Sequence, residues 1–512
     1  MSVYRLNEVL GALSLATDSA NGVPPETALR TALVAVSIGR AAGFDEETLR
    51  DAYYAALLRF LGCTAFAYET AGRYGAGDDR AVLGAALAAD TSKPIDVARR
   101  IVTGIANAPL GRRAAALARL TFDPDPTHAL ARAHCELAMT LATRLGVPPA
   151  VVVSLGQIYE RFDGRGDPHG LSGDGIEASA RLAAIAFRVV ISQTLERETG
   201  SLDVVQKRSG TELDPILAEV VSINAGAIGD LLRGPAVWDL FLDAEPGRPL
   251  TIPATELDRV AQAFADYSDL KSPFTIGHSP SVAALAKDVG RELQLSTEDC
   301  STLYTAALLH DLGRVAIANG IWDKPGKLSP GERSLVETHA WHTTRILQRT
   351  PLLASFASLA GQAHAHVDGS GYTGGPLPAA EVAKARILAA CDVYRALKED
   401  RPHRKALNPD SVSRTLLEEV ACGRLDANIV DAILSNDGVR MKRPDLPAGL
   451  SEREAQVLRL VANGLSNKEI ASRLEISAKT VQHHVAHIYE KTGIRTRASA
   501  AIYAMTQGLL VP

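Results

Sequence analysis

Apolar residues recur three and four positions apart through most of the chain, in Ala- and Leu-rich segments broken by clusters of Gly, Pro, Asp and Asn. That spacing lays one face of an α-helix against a core. Alternating stretches that would mark strands are scarce, so the pattern predicts an all-α protein. Two segments, 233–252 and 437–449, concentrate Gly, Pro and charge between periodic segments and predict linkers. They divide the chain into residues 1–232, 253–436 and 450–512.

The first two parts are copies of one another. At a displacement of 251, Gly39-Arg40 falls on Gly290-Arg291, Ala55-Ala56-Leu57-Leu58 on Ala306-Ala307-Leu308-Leu309, and Leu61-Gly62 on Leu312-Gly313. At a displacement of 205, His134 falls on His339, Gly156-Gln157 on Gly361-Gln362, Asp163-Gly164 on Asp368-Gly369, and Arg181 on Arg386. The difference of 46 residues is an insertion in the first copy, between about 63 and 128. One helical domain has been duplicated.

In the last part, helix starts follow from capping chemistry. Ser451 and Ser466 each have a Glu three residues on, Glu454 and Glu469, the spacing of a capping box, and Gly464 ends the first helix. Ser477 caps a third helix whose inward stripe is Val481, Val485 and Ile488, which leaves Lys479, Thr480, Gln482, His483 and Ala486 outside. A tight turn at Glu475-Ile476 makes this a helix-turn-helix, with a third helix able to enter a DNA major groove.

Charge supports that reading. The whole chain carries a net charge of −5, but residues 447–512 hold eight Lys+Arg against five Asp+Glu, a local +3. At 46% apolar and 22% charged residues, a mainly disordered chain is excluded. The five cysteines, Cys63, Cys135, Cys300, Cys391 and Cys422, form no close pairs, which argues against a disulfide framework and for a reducing compartment. No basic stretch followed by an apolar core opens the chain, and no run of about 18 apolar residues occurs. The expectation is a cytoplasmic protein with no membrane partner.

Within 253–436, groups able to bind metal recur as His278, His310-Asp311, His339, His364 and Asp392. Imidazole and carboxylate together suit iron, manganese or zinc, and a carboxylate can bridge two ions. Such a pair supports hydrolysis of a phosphoester. His342 and His366 are read as ordinary surface or core residues. At positions equivalent to five of the six groups the first copy has Thr27, Arg59, Phe60, Tyr159 and Phe187; only His134 remains. That copy is expected to hold no metal.

The motifs DLKSPFTIGHS, LLHDLGR, KPGKLSPGE, DGSGY, ILAACDVYRAL and DRPHR, in that order over about 266–436, resemble the HD-GYP branch of the HD superfamily of metal-dependent phosphohydrolases. The resemblance implies His278, His310, Asp311 and Asp392 as the basic ligand set, His339 and His364 as further ligands of a two-metal site, and His310, Asp311 and Arg314 as catalytic. Arg314, Lys324, Lys327, Arg401 and Arg404 are the candidates for gripping substrate phosphate. The sequence departs from the family pattern at Ala363, where a ligand is expected, at Thr373 in place of Pro, at Arg314 in place of Lys, and at Phe274 in place of a Glu ligand of three-metal forms.

The segment from Leu450 to about Leu510, with LSEREAQVL, GLSNKEIA, ISAKTVQHHV and RTRASAA, resembles the LuxR-type DNA-binding domain, a four-helix unit. By that resemblance Lys479, Thr480, Gln482 and His483 face the groove, and Asn467, Lys468, Lys491 and Arg497 contact phosphates. Useful affinity is expected to need a homodimer on two half-sites. The combined reading is a transcription regulator binding DNA and a nucleotide or phosphoester. Its middle domain is either a phosphodiesterase or a metal-containing sensor without turnover.

Overall fold

The computed structural model describes residues 3–73, 77–90, 93–106, 108–122, 126–196, 201–234, 237–436, 447–462, 465–494, 500, 503–504, 507 and 509. Among them are helices and two three-residue strands, Val3–Arg5 and Thr251–Pro253. The helical reading and the duplication both hold. Helices Leu6–Ala20, Thr27–Ala41 and Glu46–Leu57 return as Leu257–Asp269, His278–Glu292 and Thr297–Leu309. Pro126–Leu145, Pro149–Leu155 and Ala178–Glu196 return as Pro330–Leu347, Pro351–Ala360 and Val382–Lys398. The 46 extra residues of the first copy fall in a block containing four helices, Ala67–Arg73, Asp79–Leu87, Pro94–Gly104 and Leu110–Phe122.

The copies agree in local chemistry as well as outline. The buried Asp18 carboxylate accepts from the Ala28 amide at 3.2 Å, and its counterpart Asp269 accepts from the Ser279 amide at 2.9 Å. Both satisfy an amide that the first turn of a helix leaves without an internal partner. Glu26 and Gly277, each just before that helix, share a left-handed φ of 71° and 76°. A Cβ on Gly62 would lie 2.0 Å from the His134 carbonyl oxygen, and one on Gly313 would lie 2.1 Å from that of His339. In each copy a turn must press directly on the helix that carries a site histidine, and only glycine permits it.

The copies do not form separate cores. One continuous hydrophobic core runs from Leu6 to Leu434. The first helix of each copy crosses to the other: Leu6–Ala20 packs on the 312–316 turn and on Pro330–Leu347, while Leu257–Asp269 packs on Pro126–Leu145. The strands preceding those two helices pair antiparallel, Tyr4 opposite Ile252.

The segment 233–252 is therefore not the open linker expected from its Gly and Pro content. Its Trp238–Asp243 helix buries Phe241, whose ring stacks on Tyr53 at 4.9 Å, and the Phe241 carbonyl accepts from the Tyr53 hydroxyl at 2.9 Å. Burying a Phe fully is worth about 1.5–3 kcal/mol, enough to hold a short helix that propensity alone would leave frayed. The other expected linker, 437–449, lies outside the described residues except for its last three.

The inserted block also binds the second copy. Lys271, fully buried, donates to the Val315 and Ile317 carbonyls at 2.7 Å each and faces Asp79 at 3.3 Å. Asp79 accepts from the Asn319 amide at 2.8 Å, and the Gly320 amide donates to the Gly77 carbonyl at 2.8 Å. Residues 450–509 have their own core, built from Leu450, Val457, Leu458, Ile470, Val481 and Ile488 among others.

Candidate functional site

The second copy brings the six candidate ligands to one point through helix ends. His278 opens the His278–Glu292 helix, His310 and Asp311 follow the last turn of Thr297–Leu309, His339 and Asp392 lie inside helices, and His364 begins a loop. The turn after Asp311 is fixed by Thr343, whose hydroxyl accepts from the Gly313 amide at 2.8 Å and donates to the His310 carbonyl at 3.0 Å. His310 and His339 each direct Nδ1 to a carbonyl three residues back, Ala307 at 2.7 Å and Val336 at 2.5 Å. That fixes the proton on Nδ1 and turns the Nε2 lone pair inward, the tautomer a metal ligand requires.

Two donor groups converge. His278, His310 and Asp311 form one, and Asp311, His339 and His364 the other; within each, the ligand atoms lie within 4.8 Å of one another. Asp311 belongs to both, with its Oδ1 3.4 Å from His339 and 3.8 Å from each of His310 and His364. Asp392 closes the ring, 3.0 Å from His278 Nε2 and 3.2 Å from His364 Nδ1. His310 Nε2 and Asp311 Oδ1 are buried without a hydrogen-bond partner. Buried polar atoms rarely go unsatisfied, so this pair points to a ligand between them.

Electrostatics point the same way. Burial alone would lower the His278 pKa, but hydrogen bonds to Asp392 and Glu399 raise it to about 10. Burial likewise opposes protonation of His364, yet Asp311 and Asp392 raise it to about 9. Burial pushes both carboxylates upward, and the surrounding imidazoles more than reverse it, holding them well below the usual range. The two buried carboxylates are balanced by protonated His278 and His364, whose protons a bound metal would displace.

Glu399 was not singled out by sequence reasoning. It sits in the charged run LKEDRPHR and reads as a surface residue; the available signal was its place seven residues after Asp392, two turns along one helical face. It accepts from His278 Nδ1 at 2.9 Å and from Arg401 at 2.9 Å, fixing the ring from behind. Tyr372 and Trp322 were missed too. Tyr372 of the DGSGY loop stacks on His364 at 4.9 Å, and Trp322 meets His339 edge-on at 5.2 Å.

The candidate phosphate residues divide. Arg314 lies 3.9 Å over the Trp322 ring and donates to Asp311 at 3.3 Å, beside the donor cluster. Arg401 lies beside His278, 3.5 Å from its Nδ1. Lys324 is paired with Glu332 at 2.7 Å, and Lys327 is exposed. Arg404 is turned to the helix end instead, donating to the carbonyls of Ala396, Leu397 and Glu399. Of the departures from the family pattern, Ala363 is buried in the core and Thr373 is exposed.

The first copy fills the equivalent space with its own side chains. The Arg59 guanidinium lies 4.2 Å over the Phe187 ring and 5.6 Å from that of Tyr159, whose hydroxyl meets His134 Nδ1 at 2.8 Å. Burial lowers the His134 pKa to about 4.

Among the described residues of the C-terminal part are the helices Glu452–Ala462, Asn467–Arg473 and Ala478–Thr492. Reciprocal caps join Ser451 to Glu454 and Ser466 to Glu469, and the Ser477 hydroxyl accepts from the Thr480 amide at 3.0 Å. Glu475 adopts a left-handed φ of 54° at the turn. Val481 and Ile488 are buried, while Lys479, Thr480, Gln482 and His483 share an exposed face and Lys468 is exposed nearby. Asn467 is half-buried. Lys491 is engaged internally, donating to Glu454 at 2.6 Å and to the Gly449 carbonyl at 3.1 Å. Arg497 and Gly464 lie outside the described residues.

No single helix among the described residues is long and apolar enough to cross a membrane. Residues 262–429 match the HD domain family, and residues 448–504 match the family of bacterial regulatory proteins of the luxR type. The chain is similar to the 3′3′-cGAMP-specific phosphodiesterase 3 of Vibrio cholerae, 29% identical over 82% of this chain and 91% of that one. It is 31% identical to a cyclic di-GMP phosphodiesterase of Pseudomonas aeruginosa, over 40% of this chain and 52% of the relative. The crystal structure of a cyclic GMP-AMP-specific phosphodiesterase of V. cholerae superimposes with a TM-score of 0.56 at 25% identity, covering 87% of this chain and 99% of that one. The chain thus carries an HD domain at residues 262–429, preceded by a copy of the same helical arrangement that lacks five of the six donor positions, and a LuxR-type domain at residues 448–504, and along most of its length it is similar to a cyclic-dinucleotide phosphodiesterase.

Proposed function

We propose that residues 253–436 hydrolyse a cyclic dinucleotide at a site holding two divalent transition ions, and that residues 450–512 bind DNA as part of a homodimer. The observation that carries the first half is the pair of orphaned buried atoms, His310 Nε2 and Asp311 Oδ1, at the junction of two donor groups. The residues fit a metal pair: His278, His310, His339 and His364 would supply imidazoles, and Asp392 and Asp311 carboxylates, with Asp311 common to both donor groups. Bound there, ions such as iron, manganese or zinc supply Lewis acidity toward a phosphoester and make a nearby water a better nucleophile.

The chain's own groups do the rest. Glu399 keeps the Nδ1 proton of His278 and so directs Nε2 into the site. Arg314 steadies Asp311 with one N–H, and its fork carries more donors than that bond uses. With Arg401 it is the cationic group beside the donor cluster suited to phosphate; Lys324 is held by Glu332, and Arg404 serves the helix end. The relatives named for cyclic GMP-AMP and cyclic di-GMP support a cyclic dinucleotide as the substrate class. In the DNA reader, the exposed face of Lys479, Thr480, Gln482 and His483 supports contact with base edges or phosphates, and Asn467 and Lys468 are the phosphate candidates nearby. Arg497 is retained as a phosphate contact on the resemblance alone.

The test is a hydrolysis assay on metal-loaded full-length protein with cyclic GMP-AMP and cyclic di-GMP, beside Asp311→Asn. Product release that the variant abolishes is the expected result. A second reading, a metal-containing sensor that binds a nucleotide without turnover, is favoured by Ala363 in a ligand position; tight binding with no product from metal-loaded wild type would select it.

A further inference from the structure

A cavity of about 350 Å³ lies between the inserted block of the first copy and the second copy. One wall carries Tyr68 and Arg112, and the other runs from Asn319 through Asp323 to Lys324 and Pro325. Two connections tie it to the site. The Tyr68 ring meets Phe274 edge-on at 6.2 Å, and the Phe274 carbonyl accepts from Arg401, the arginine beside His278, at 3.5 Å. Next to Asp323 in the chain, Trp322 packs under Arg314 and meets His339 edge-on.

The lining offers an aromatic face to a nucleobase. Tyr68 is 41% exposed although its neighbour Phe274 is half-buried, so an aromatic face stands open at the rim. Asp323 uses one oxygen to accept from Ser272 at 2.7 Å, and its other oxygen is buried with no partner. Asn319 donates to the Lys271 carbonyl at 2.6 Å and likewise keeps its Oδ1 unpartnered. Both acceptor atoms lie behind the cavity surface, so the open recognition element of the lining is the Tyr68 ring.

We infer that this cleft is a base-binding subsite, in which Tyr68 of the degenerate copy stacks a purine of a cyclic dinucleotide whose phosphate lies at the metal centre. The inference rests on the proposed substrate class and assigns the inserted block a part in recognising it. It explains the cost of holding Asp79, Lys271 and the Gly77–Gly320 contact in a buried joint: that joint fixes the Tyr68 wall opposite the Asp323 wall.

Stacking of one base on an aromatic side chain corresponds to roughly tenfold or more in affinity. The experiment titrates cyclic GMP-AMP and cyclic di-GMP into full-length wild type, Tyr68→Ala and Tyr68→Phe, with melting curves to verify folding. The Kd is expected to rise about tenfold in Tyr68→Ala and to stay within about twofold in Tyr68→Phe. In parallel, kcat/KM for the cyclic dinucleotide relative to that for bis(p-nitrophenyl) phosphate, which has no base, should fall about tenfold in the Ala variant. An unchanged Kd in folded Tyr68→Ala, equal loss toward both substrates, or no binding of either cyclic dinucleotide to wild type overturns the inference. Binding that depends on Tyr68 without any turnover would instead leave it standing and defeat the phosphodiesterase reading.

Discussion

The two copies answer the same packing problem with opposite chemistry. Both wedge a glycine turn, Gly62 or Gly313, against a buried histidine carbonyl, and both cap the next helix with a buried aspartate. At the centre they diverge. The second copy gathers four imidazoles and two carboxylates around unsatisfied atoms, whereas the first places Arg59 over Phe187 and closes the remaining His134 against Tyr159. The guanidinium is a built-in cation where the other copy presents candidate metal donors. Scaffold and site chemistry are therefore separable, and the scaffold survived because the copies share one core and each lends its first helix to the other.

The largest break in the comparison comes from Asp311→Asn, which removes the carboxylate common to both donor groups. Hydrolysis should fall by more than about a hundredfold, since losing even an outer partner of a metal ligand costs about 10–100-fold. Operator binding measured on the same preparation should stay close to wild type, because the reader folds around its own core. Glu399→Gln should cost about 10–100-fold in activity or metal affinity, with the loss expressed through His278. A near-normal Glu399→Gln would mean that the ring is held by packing alone.

Changing Lys479 and Gln482 to Ala should weaken specific DNA binding by about 1–3 kcal/mol for a good base contact. A gel-shift or anisotropy titration checks it, and unchanged affinity in the folded double variant moves the DNA contact elsewhere. In the first copy, Arg59→Met exchanges a buried guanidinium, one of whose nitrogens lacks a partner, for an apolar chain of similar length. Such replacements range from neutral to about 1–4 kcal/mol stabilising, so the melting temperature should hold or rise; a clear fall would show that the guanidinium is essential to that core.

The smallest effect is on pH dependence. Burial holds the folded His134 pKa near 4 against an ordinary 6.5. The unfolded chain takes up this proton first, so the contribution of neutral His134 to stability is complete above about 6.5 and is lost as pH falls toward about 4. Denaturant titrations of wild type and His134→Gln across that window should show the wild type losing more stability on acidification.

Much of this comparison was legible in the sequence: helix periodicity depends only on residues near each other in the chain, and the duplication shows as residue matches at fixed displacements of 251 and 205. The caps at Ser451, Ser466 and Ser477 are equally local, whereas the six candidate ligands, spread from 278 to 392, were read from residue type and from the resemblance. The segment 233–252 was misread as a linker because what orders Phe241 is Tyr53, nearly two hundred residues away in sequence. Glu399 hid for a similar reason: only the fold brings His278 to it. Arg404 looked like a phosphate grip until the helix end it closes was in place. Tyr68 stood outside any motif, since its setting is made by the other copy.

The most direct test of the contrast is elemental analysis of full-length protein purified without added chelator, for wild type, Asp311→Asn and His134→Gln. The expected result is about two transition ions per wild-type chain, as in a two-metal site, most of them lost in Asp311→Asn and all retained in His134→Gln. Full metal content in Asp311→Asn, or a loss of metal in folded His134→Gln, would contradict it.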